Sequence, residues 1–126
     1  MIFKRIPFKE RILSFRYAIH GLGDMFRQEH HARLHCLAAL LVVAAGFLLR
    51  LSAMEWIAVM FAIGLVFSAE TVNTALERLA DVVQPERDER IRLVKDLAAA
   101  AVLISAITAA IIGLIVFVPK MIALFQ

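Results

Sequence analysis

Residues 55–83 read EWIAVMFAIGLVFSAETVNTALERLADVV, and the change in character along this stretch decides the fold. It is apolar from Trp56 to Ala69 and then becomes polar, with no glycine or proline to interrupt the polar part. We predict one helix over about 56–83, with a tryptophan anchor at the membrane boundary and an end before Pro85. Because a membrane span needs roughly 20 residues, this helix is long enough to cross a bilayer.

Two further apolar stretches are predicted to span the membrane. The first covers about 34–51 and includes LAALLVVAAGFLL, with His35 and Cys36 at the membrane boundary. The other covers about 97–118, and Pro119 is expected to stop it. A short hairpin is predicted between the first two spans, formed by Arg50, Ser52 and Glu55.

The stretch before the third span, QPERDERIRLVKD at 84–96, is predicted to be a charged loop or surface turn. Lys120 marks the far interface of that span. Small residues recur every four positions along the third span, and such a seam lets helices approach closely in lipid. These residues are Ala101, Ser105, Ala109 and Gly113.

Residues 1–33 are predicted to form an amphipathic helix that lies at the membrane surface. An apolar face stands opposite a basic face, which is typical of interfacial helices. A helix packed on a soluble core is the alternative, but the rest of the chain offers no such core. The apolar face consists of Ile12, Phe15, Ile19, Leu22 and Phe26.

The composition fits one all-α membrane domain over residues 1–126. Hydrophobic residues make up 62% of the chain, above the roughly 45–50% of ordinary globular domains. A formal charge of +3 fits a positive-inside membrane bias better than nucleic-acid binding. The single cysteine excludes a disulfide within the chain.

Basic residues are concentrated on one side of the predicted membrane. Of the 14 Lys and Arg residues, seven lie in 1–33 and five in 78–96. Three spans place these two stretches on the same side, with Arg50 and Lys120 opposite. That side is expected to be cytoplasmic, where ATP is available.

A polar stripe follows the apolar part of the second span. Glu70, Asn73, Glu77 and Asp81 are spaced by three, four and four residues, which places them on one helical face. A carboxylate at the membrane centre opposes insertion by about 2.5–3.5 kcal/mol, so the first glutamate must be interfacial, paired or facing protein. An ionisable residue at that depth indicates a functional site, with an ordinary solvated helix end as the alternative.

Other charged residues are candidates for a phosphate or metal site. Glu29 and Arg33 have the spacing of an ordinary helix pair, but a carboxylate at 29 that converges with Glu77 would bind Mg²⁺. Lys95 beside Asp96 would bind phosphate, and a snorkelling lysine is the alternative.

Three histidines precede or begin the first span. His31 and His35 have a spacing that suits a metal, but the sequence offers no further ligand and no HExxH pattern. Polar packing at the interface is the preferred interpretation for these two and for His30. The sequence also lacks a GxxxxGK[ST] or GxGxxG loop, so bound ATP would depend on side chains and Mg²⁺.

These residues resemble the prokaryotic diacylglycerol kinase and undecaprenol kinase family over nearly the whole chain. The pattern Glu-x-x-Asn-Thr-Ala-x-Glu from Glu70 to Glu77, followed by Lys95-Asp96, is highly specific. Further matching stretches are SFRYAIHGL at 14–22, QEHHARLH at 28–35, PE at 85–86 and KDLAAAAVL at 95–103.

The resemblance implies a homotrimer of three-span subunits in the bacterial inner membrane, with composite active sites that face the cytoplasm. It implies phosphoryl transfer from MgATP to a membrane lipid, with Glu70 as general base and Glu29 and Glu77 as Mg²⁺ ligands. It places lipid contacts at Glu70, Ala99 and Arg33. The positions that resemble the nucleotide site are Tyr17, Glu29, Asn73, Glu77, Glu86, Lys95 and Asp96, with Arg11 where the family has a nearby arginine.

Two departures bear on the substrate and the loop. Arg87-Asp88 stands where the family often has Tyr-His, which leaves the nucleotide contacts of this loop open. Ala99 stands where the diacylglycerol branch commonly has serine, and ARLH at 32–35 also resembles the undecaprenol branch. Undecaprenol is therefore favoured, with diacylglycerol as the alternative.

Other functional classes explain less of the sequence. A proton-coupled transporter also places glutamates in membrane helices, but it does not need Asn73, Glu77 and Lys95-Asp96 at one membrane face. A lipid phosphatase would need a catalytic histidine with a basic cluster. A noncatalytic assembly subunit would leave the polar stripe unexplained.

Overall fold

The computed structural model describes residues 8–124, which form four α-helices. They are α1 (Phe8–Gln28), α2 (His30–Leu48), α3 (Ala53–Val83) and α4 (Glu89–Leu124). Within α1, side chains are described at 10 and from 12 onward. The helices α2, α3 and α4 are long and apolar enough to cross a membrane, as the sequence predicts.

Helix α3 is the centre of the packing. It contacts α4 most extensively and α2 less, and α1 contacts both α2 and α3. The buried core residues Leu51, Val59 and Val116 come from the α2–α3 turn, α3 and α4. Half-buried side chains pack around them, namely Val42, Leu49, Trp56, Ile63, Ile112 and Phe117.

The turn between α2 and α3 is fixed by hydrogen bonds at both helix ends. The Arg50 N–H donates to the Phe47 carbonyl and the Leu51 N–H to the Gly46 carbonyl, the pairing of a Schellman motif. Arg50 has a φ of 51°, in the region where glycine is usual at this position. The predicted hairpin is confirmed.

The start of α3 completes this turn. The Ser52 hydroxyl accepts from the Glu55 N–H, and the Glu55 side chain accepts from the Ser52 N–H, which together form a capping box. The same carboxylate pairs with Lys120 of α4 at 3.0 Å. This ion pair ties the α2–α3 turn to the far end of α4.

The described helices do not follow the predicted span bounds residue by residue, and most of the loop predicted at 84–96 is helical. Helix α2 begins at His30 rather than near 34 and ends at Leu48, because no breaker separates the polar start from the apolar run. Helix α4 begins at Glu89, so only the first part of the predicted loop 84–96 is nonhelical. The stretch from Glu89 is helical because Asp88 caps its start and Arg92 pairs with Glu89 and Asp96 along the helix.

Pro119 does not stop the third span. It lies inside α4, which continues to Leu124. Proline is tolerated in membrane helices because neighbouring groups and small local adjustments satisfy the freed carbonyl. A proline signal that ends helices in water is therefore weaker here.

The predicted small-residue seam on α4 is only partly correct. Ser105 is buried, while Ala109 and Gly113 are half-buried and Ala101 is exposed. A strict repeat of four drifts around a helix of 3.6 residues per turn. The buried line instead alternates three and four residues, through Ala98, Val102, Ser105, Ala109, Ile112 and Val116.

Helix α1 leaves most of its apolar face uncovered by the chain. Its anchor is Met25, which is 2% exposed, and the neighbouring Phe26 ring packs edge-on against Phe67 of α3. The Thr71 hydroxyl also donates to the Met25 sulfur at 3.4 Å. The exposed apolar side chains are Ile12, Phe15, Ile19 and Leu22.

Candidate active site

Glu70 is a buried carboxylate in the middle of α3. The residue is 4% exposed, and its Oε1 lies 3.1 Å from Nε2 of His35 on α2. Burial of an acidic group without a partner is costly. The histidine therefore supplies the interaction that lets this side chain lie within the helix packing.

One turn further along α3, Asn73 and Glu77 are in direct contact. The Asn73 Nδ2 donates to Glu77 Oε1 at 3.2 Å. The Asn73 Oδ1 is buried and accepts no hydrogen bond within the described part of the chain. An oxygen without a partner beside a carboxylate suits a ligand that brings a positive charge or a donor.

Glu29 lies at the junction between α1 and α2, next to a contact with α3. It is the half-buried N-cap residue of α2, and its side chain makes no capping hydrogen bond. The adjacent residues meet, since Arg78 Nη2 donates to Gln28 Oε1 at 2.9 Å. The α1–α2 junction is thus held beside the polar part of α3.

Lys95 is held by an acidic partner at the α3–α4 seam. Its Nζ lies 2.5 Å from Asp81 Oδ1, so the last member of the polar stripe contacts the lysine expected to bind phosphate. Asp96 does not join this pair. It accepts from Arg92 at 2.6 Å, one turn earlier on α4.

Several positions that the sequence predicts for the site are exposed on the single chain. Tyr17 is exposed on α1, and Arg33 is exposed on α2. Glu86 is exposed in the connection between α3 and α4, and Ala99 is exposed on α4. The side chain of Arg11 lies outside the described residues.

The connection between α3 and α4 has its own local order. The Asp88 carboxylate accepts from the Arg90 backbone N–H at 2.8 Å and from its guanidinium. These hydrogen bonds lower the pKa of Asp88 to about 2. The aspartate therefore stays ionised and caps the start of α4.

A half-open cavity of about 320 Å³ lies beside His35, the partner of Glu70. Its wall is formed by α2, α3 and α4, and His35 is its one polar lining side chain among the described residues. The apolar lining includes Ala39, Val59, Val66 and Ile112. A hydrocarbon chain fits such a wall, since no polar group within it needs a partner.

The role of His35 was not predictable from its spacing. The sequence favours polar packing at the interface, with a His31–His35 metal pair as the minor alternative. In the structure His31 is exposed, while His35 is half-buried against Glu70. No helical period signals this contact, because it depends on how α2 is set against α3.

The donor set fits magnesium bound together with a nucleotide. Across residues 8–124, no three His, Cys, Asp or Glu side chains gather to hold a metal alone. Mg²⁺ is commonly held by one or two carboxylates, waters and phosphates. Glu77 and the free oxygen of Asn73 suit that arrangement, and Glu29 is the further carboxylate expected from the sequence.

Comparison with known proteins decides the family. The family model of the prokaryotic diacylglycerol kinases matches residues 16–117. This stretch contains Glu29, Glu70, Asn73, Glu77 and Lys95. The chain belongs to the prokaryotic diacylglycerol kinase family. Membership makes it a membrane lipid kinase, as the resemblance implies.

Three relatives of this lipid kinase are similar over most of its length. An undecaprenol kinase from Bacillus subtilis is 38% identical over 108 residues, covering 86% of this chain and 88% of the relative. A diacylglycerol kinase from Synechocystis is 35% identical over 114 residues, covering 90% of this chain and 65% of the relative. A diacylglycerol kinase from Haemophilus influenzae is 29% identical over 104 residues, covering 82% of this chain and 88% of the relative.

Proposed function

We propose that this lipid kinase transfers the γ-phosphoryl group of MgATP to the hydroxyl of undecaprenol. The observation that carries the proposal is the buried Glu70, whose partner His35 lines an apolar cavity and which is followed along α3 by Asn73 and Glu77. A base in this position is within reach of a hydroxyl whose hydrocarbon chain stays in the apolar region. Family membership excludes the transporter, phosphatase and assembly-subunit interpretations.

Glu70 is proposed to accept the proton of the lipid hydroxyl. Its Oε1 lies 3.1 Å from Nε2 of His35, and we assign proton acceptance to the other oxygen, Oε2. Proton transfer to a positioned side chain typically contributes about 10²–10⁴-fold to the rate of a reaction. Glu70 is therefore assigned as the catalytic residue.

Glu29 and Glu77 are proposed to hold Mg²⁺, which would neutralise charge on the phosphates. Phosphoryl transfer depends mainly on positioning and charge neutralisation. Lys95 would bind a phosphate oxygen, while Asp81 holds the Lys95 ammonium group where α3 contacts α4. Asn73 would orient Glu77 through their hydrogen bond.

The remaining nucleotide and lipid contacts are proposed to be completed in a homotrimer. Tyr17, Glu86, Asp96, Ala99 and Arg33 are exposed on the single chain. A composite site would bring such positions against a neighbouring subunit. Tyr17, Glu86 and Asp96, together with Arg11, are proposed to contact the nucleotide. Ala99 and Arg33 are proposed to contact the lipid.

The membrane arrangement follows from charge and exposed apolar surface. We place the protein in the bacterial inner membrane with residues 1–33 and 78–96 on the cytoplasmic side, since those stretches hold most of the basic residues. The uncovered apolar face of α1 supports an interfacial position for that helix. Residues 1–126 would act as one lipid kinase domain.

The choice of lipid rests on several comparisons that point the same way. The undecaprenol kinase is 38% identical, against 35% and 29% for the two diacylglycerol kinases. ARLH at 32–35 and Ala99 also resemble the undecaprenol branch. Diacylglycerol remains the second candidate because two relatives carry that name.

The test is a comparison of both lipids with the same enzyme. Purified protein in mixed micelles receives labelled MgATP and either undecaprenol or diacylglycerol at equal mole fraction. We expect a higher kcat/KM with undecaprenol. A higher value with diacylglycerol would reverse the substrate assignment, and no product with either lipid would contradict the lipid alcohol proposed here.

A further inference from the structure

His35 makes a contact that the proposed reaction has not yet used. Its Nε2 lies 3.1 Å from Glu70 Oε1, and its side chain is 28% exposed while that of Glu70 is 5% exposed. The histidine is on α2 and the glutamate on α3. Their contact therefore joins two helices at the depth where the proposed base lies.

The same imidazole also forms part of the cavity wall. The other lining side chains described there are apolar, among them Ala38, Val42, Val66 and Phe67. His35 thus contacts the proposed base and also lines the space proposed for the hydrocarbon chain. Any lipid whose hydroxyl reaches Glu70 from this cavity passes beside the imidazole.

A buried glutamate presents one carboxylate oxygen in a fixed direction only if another residue contacts the carboxylate. Glu70 has three side-chain torsions, and its neighbours on α3 give its oxygens no hydrogen bond within residues 8–124. A donor fixed to Oε1 leaves Oε2 as the oxygen that can accept a proton. Proximity effects depend on such orientation, and small misplacements of a reacting group reduce rate strongly.

We propose that His35 is a positioning residue for Glu70, which donates its Nε2–H to Oε1 and turns Oε2 toward the lipid hydroxyl. The inference rests on the proposed role of Glu70 as base. It assigns His35 no direct part in nucleotide binding. The residue acts through Glu70, so its loss should reduce turnover and leave the affinity for MgATP unchanged.

The experiment compares three variants with the wild-type enzyme. His35→Leu removes the donor, while His35→Gln keeps an N–H group near the position of Nε2. His31→Leu is the matched control, because His31 is exposed on α2 one turn earlier. The values of kcat, KM for lipid and KM for MgATP are measured in mixed micelles, with nucleotide binding used to count folded sites.

We expect His35→Leu to lower kcat about 10- to 100-fold, by analogy with groups that orient metal ligands from outside. KM for MgATP should stay within twofold, His35→Gln should recover most of the loss, and His31→Leu should match wild type. A kcat for His35→Leu equal to wild type would overturn the proposal. Equal losses in the Leu and Gln variants would also overturn it, since a donor at that position would then not matter.

A double variant separates positioning from general disturbance. If His35 acts through Glu70, adding His35→Leu to Glu70→Gln should not reduce the remaining rate further, because the two effects are coupled. Independent, multiplying losses would contradict the proposal while leaving Glu70 as the base. Wild-type protein that phosphorylates no lipid alcohol would overturn the proposed function itself and this role with it.

Discussion

At the scale of single residues, the polar half of α3 holds two groups with different expected tasks. Glu70 is buried with its Oε1 3.1 Å from Nε2 of His35, whereas Glu77 is half-buried and accepts a hydrogen bond from Asn73. A buried carboxylate beside an apolar cavity suits proton transfer. A more accessible carboxylate beside a free amide oxygen suits a hydrated cation.

Glu77→Gln should separate these tasks. The amide can still accept from Asn73 but carries no charge for Mg²⁺, so KM for MgATP should rise about tenfold or more, in line with a charged interaction of about 1.4 kcal/mol or more. The measurement is the dependence of initial rate on MgATP and on free Mg²⁺. Glu89→Gln, at an exposed carboxylate on the first turn of α4, is the matched control.

An unchanged Mg²⁺ requirement in Glu77→Gln would remove this residue from the proposed metal site. A loss of kcat at saturating MgATP, with normal KM, would instead assign it to the chemical step.

Spacing along one helix made part of the site predictable. Glu70, Asn73 and Glu77 share a face because of the helical repeat, and the structure places them on one side of α3 with the Asn73–Glu77 contact formed. The His35–Glu70 and Asp81–Lys95 contacts join different helices. Such pairs depend on helix register and crossing, which a single sequence does not specify.

At the scale of helices, the α2–α3 hairpin depends on a close approach. A Cβ added at Gly46 would lie 2.8 Å from Cη2 of Trp56 and 3.1 Å from Cζ2. The Phe47 and Trp56 rings also pack with centroids 4.8 Å apart. The glycine therefore makes room for the tryptophan beside the core.

Gly46→Ala should destabilise the protein by about 1–3 kcal/mol, the usual cost of overpacking. Gly64→Ala is the matched control, since no atom lies within 4 Å of its added Cβ. Alanine is the better helix former by up to about 1 kcal/mol, so the control should be neutral or slightly stabilising. Reversible unfolding in mixed micelles measures both variants.

Equal stability of the two alanine variants would show that Trp56 moves aside without cost. That result would contradict the close packing of α2 on α3.

Helix number and order were predictable, but helix ends were less so. Apolar run length indicates three spans, and α2, α3 and α4 satisfy that expectation. The rules for ends come from helices in water, where a charged stretch or a proline often marks a stop. Here α4 includes eight residues of the predicted loop, because Asp88 caps the helix start. It also continues past Pro119, which a membrane helix tolerates.

At the scale of the whole molecule, much apolar surface remains uncovered by the chain itself. Exposed large side chains occur along every helix, including Phe15, Phe47, Phe61 and Ile104. Lipid accounts for much of this surface. The proposed trimer would cover another part and bring Ala99 and Arg33 toward a neighbouring subunit.

The protein in mild detergent should therefore have three times the 14.1 kDa mass of one chain. Native mass spectrometry measures this directly, after detergent and lipid are removed in the gas phase. Dilution in micelles is the control for association at high concentration. A monomer that phosphorylates lipid at full rate would contradict composite active sites.

The central claim is that Glu70 is the base of a lipid kinase, and the most direct measurement is phosphate transfer from labelled MgATP to undecaprenol by wild-type and Glu70→Gln protein. Both proteins are first matched for folding and for binding of a nonhydrolysable ATP analogue. We predict that the variant binds the analogue normally and loses about 10²–10⁴-fold in kcat, the usual contribution of a general base. A folded Glu70→Gln enzyme with near-normal turnover would contradict the claim.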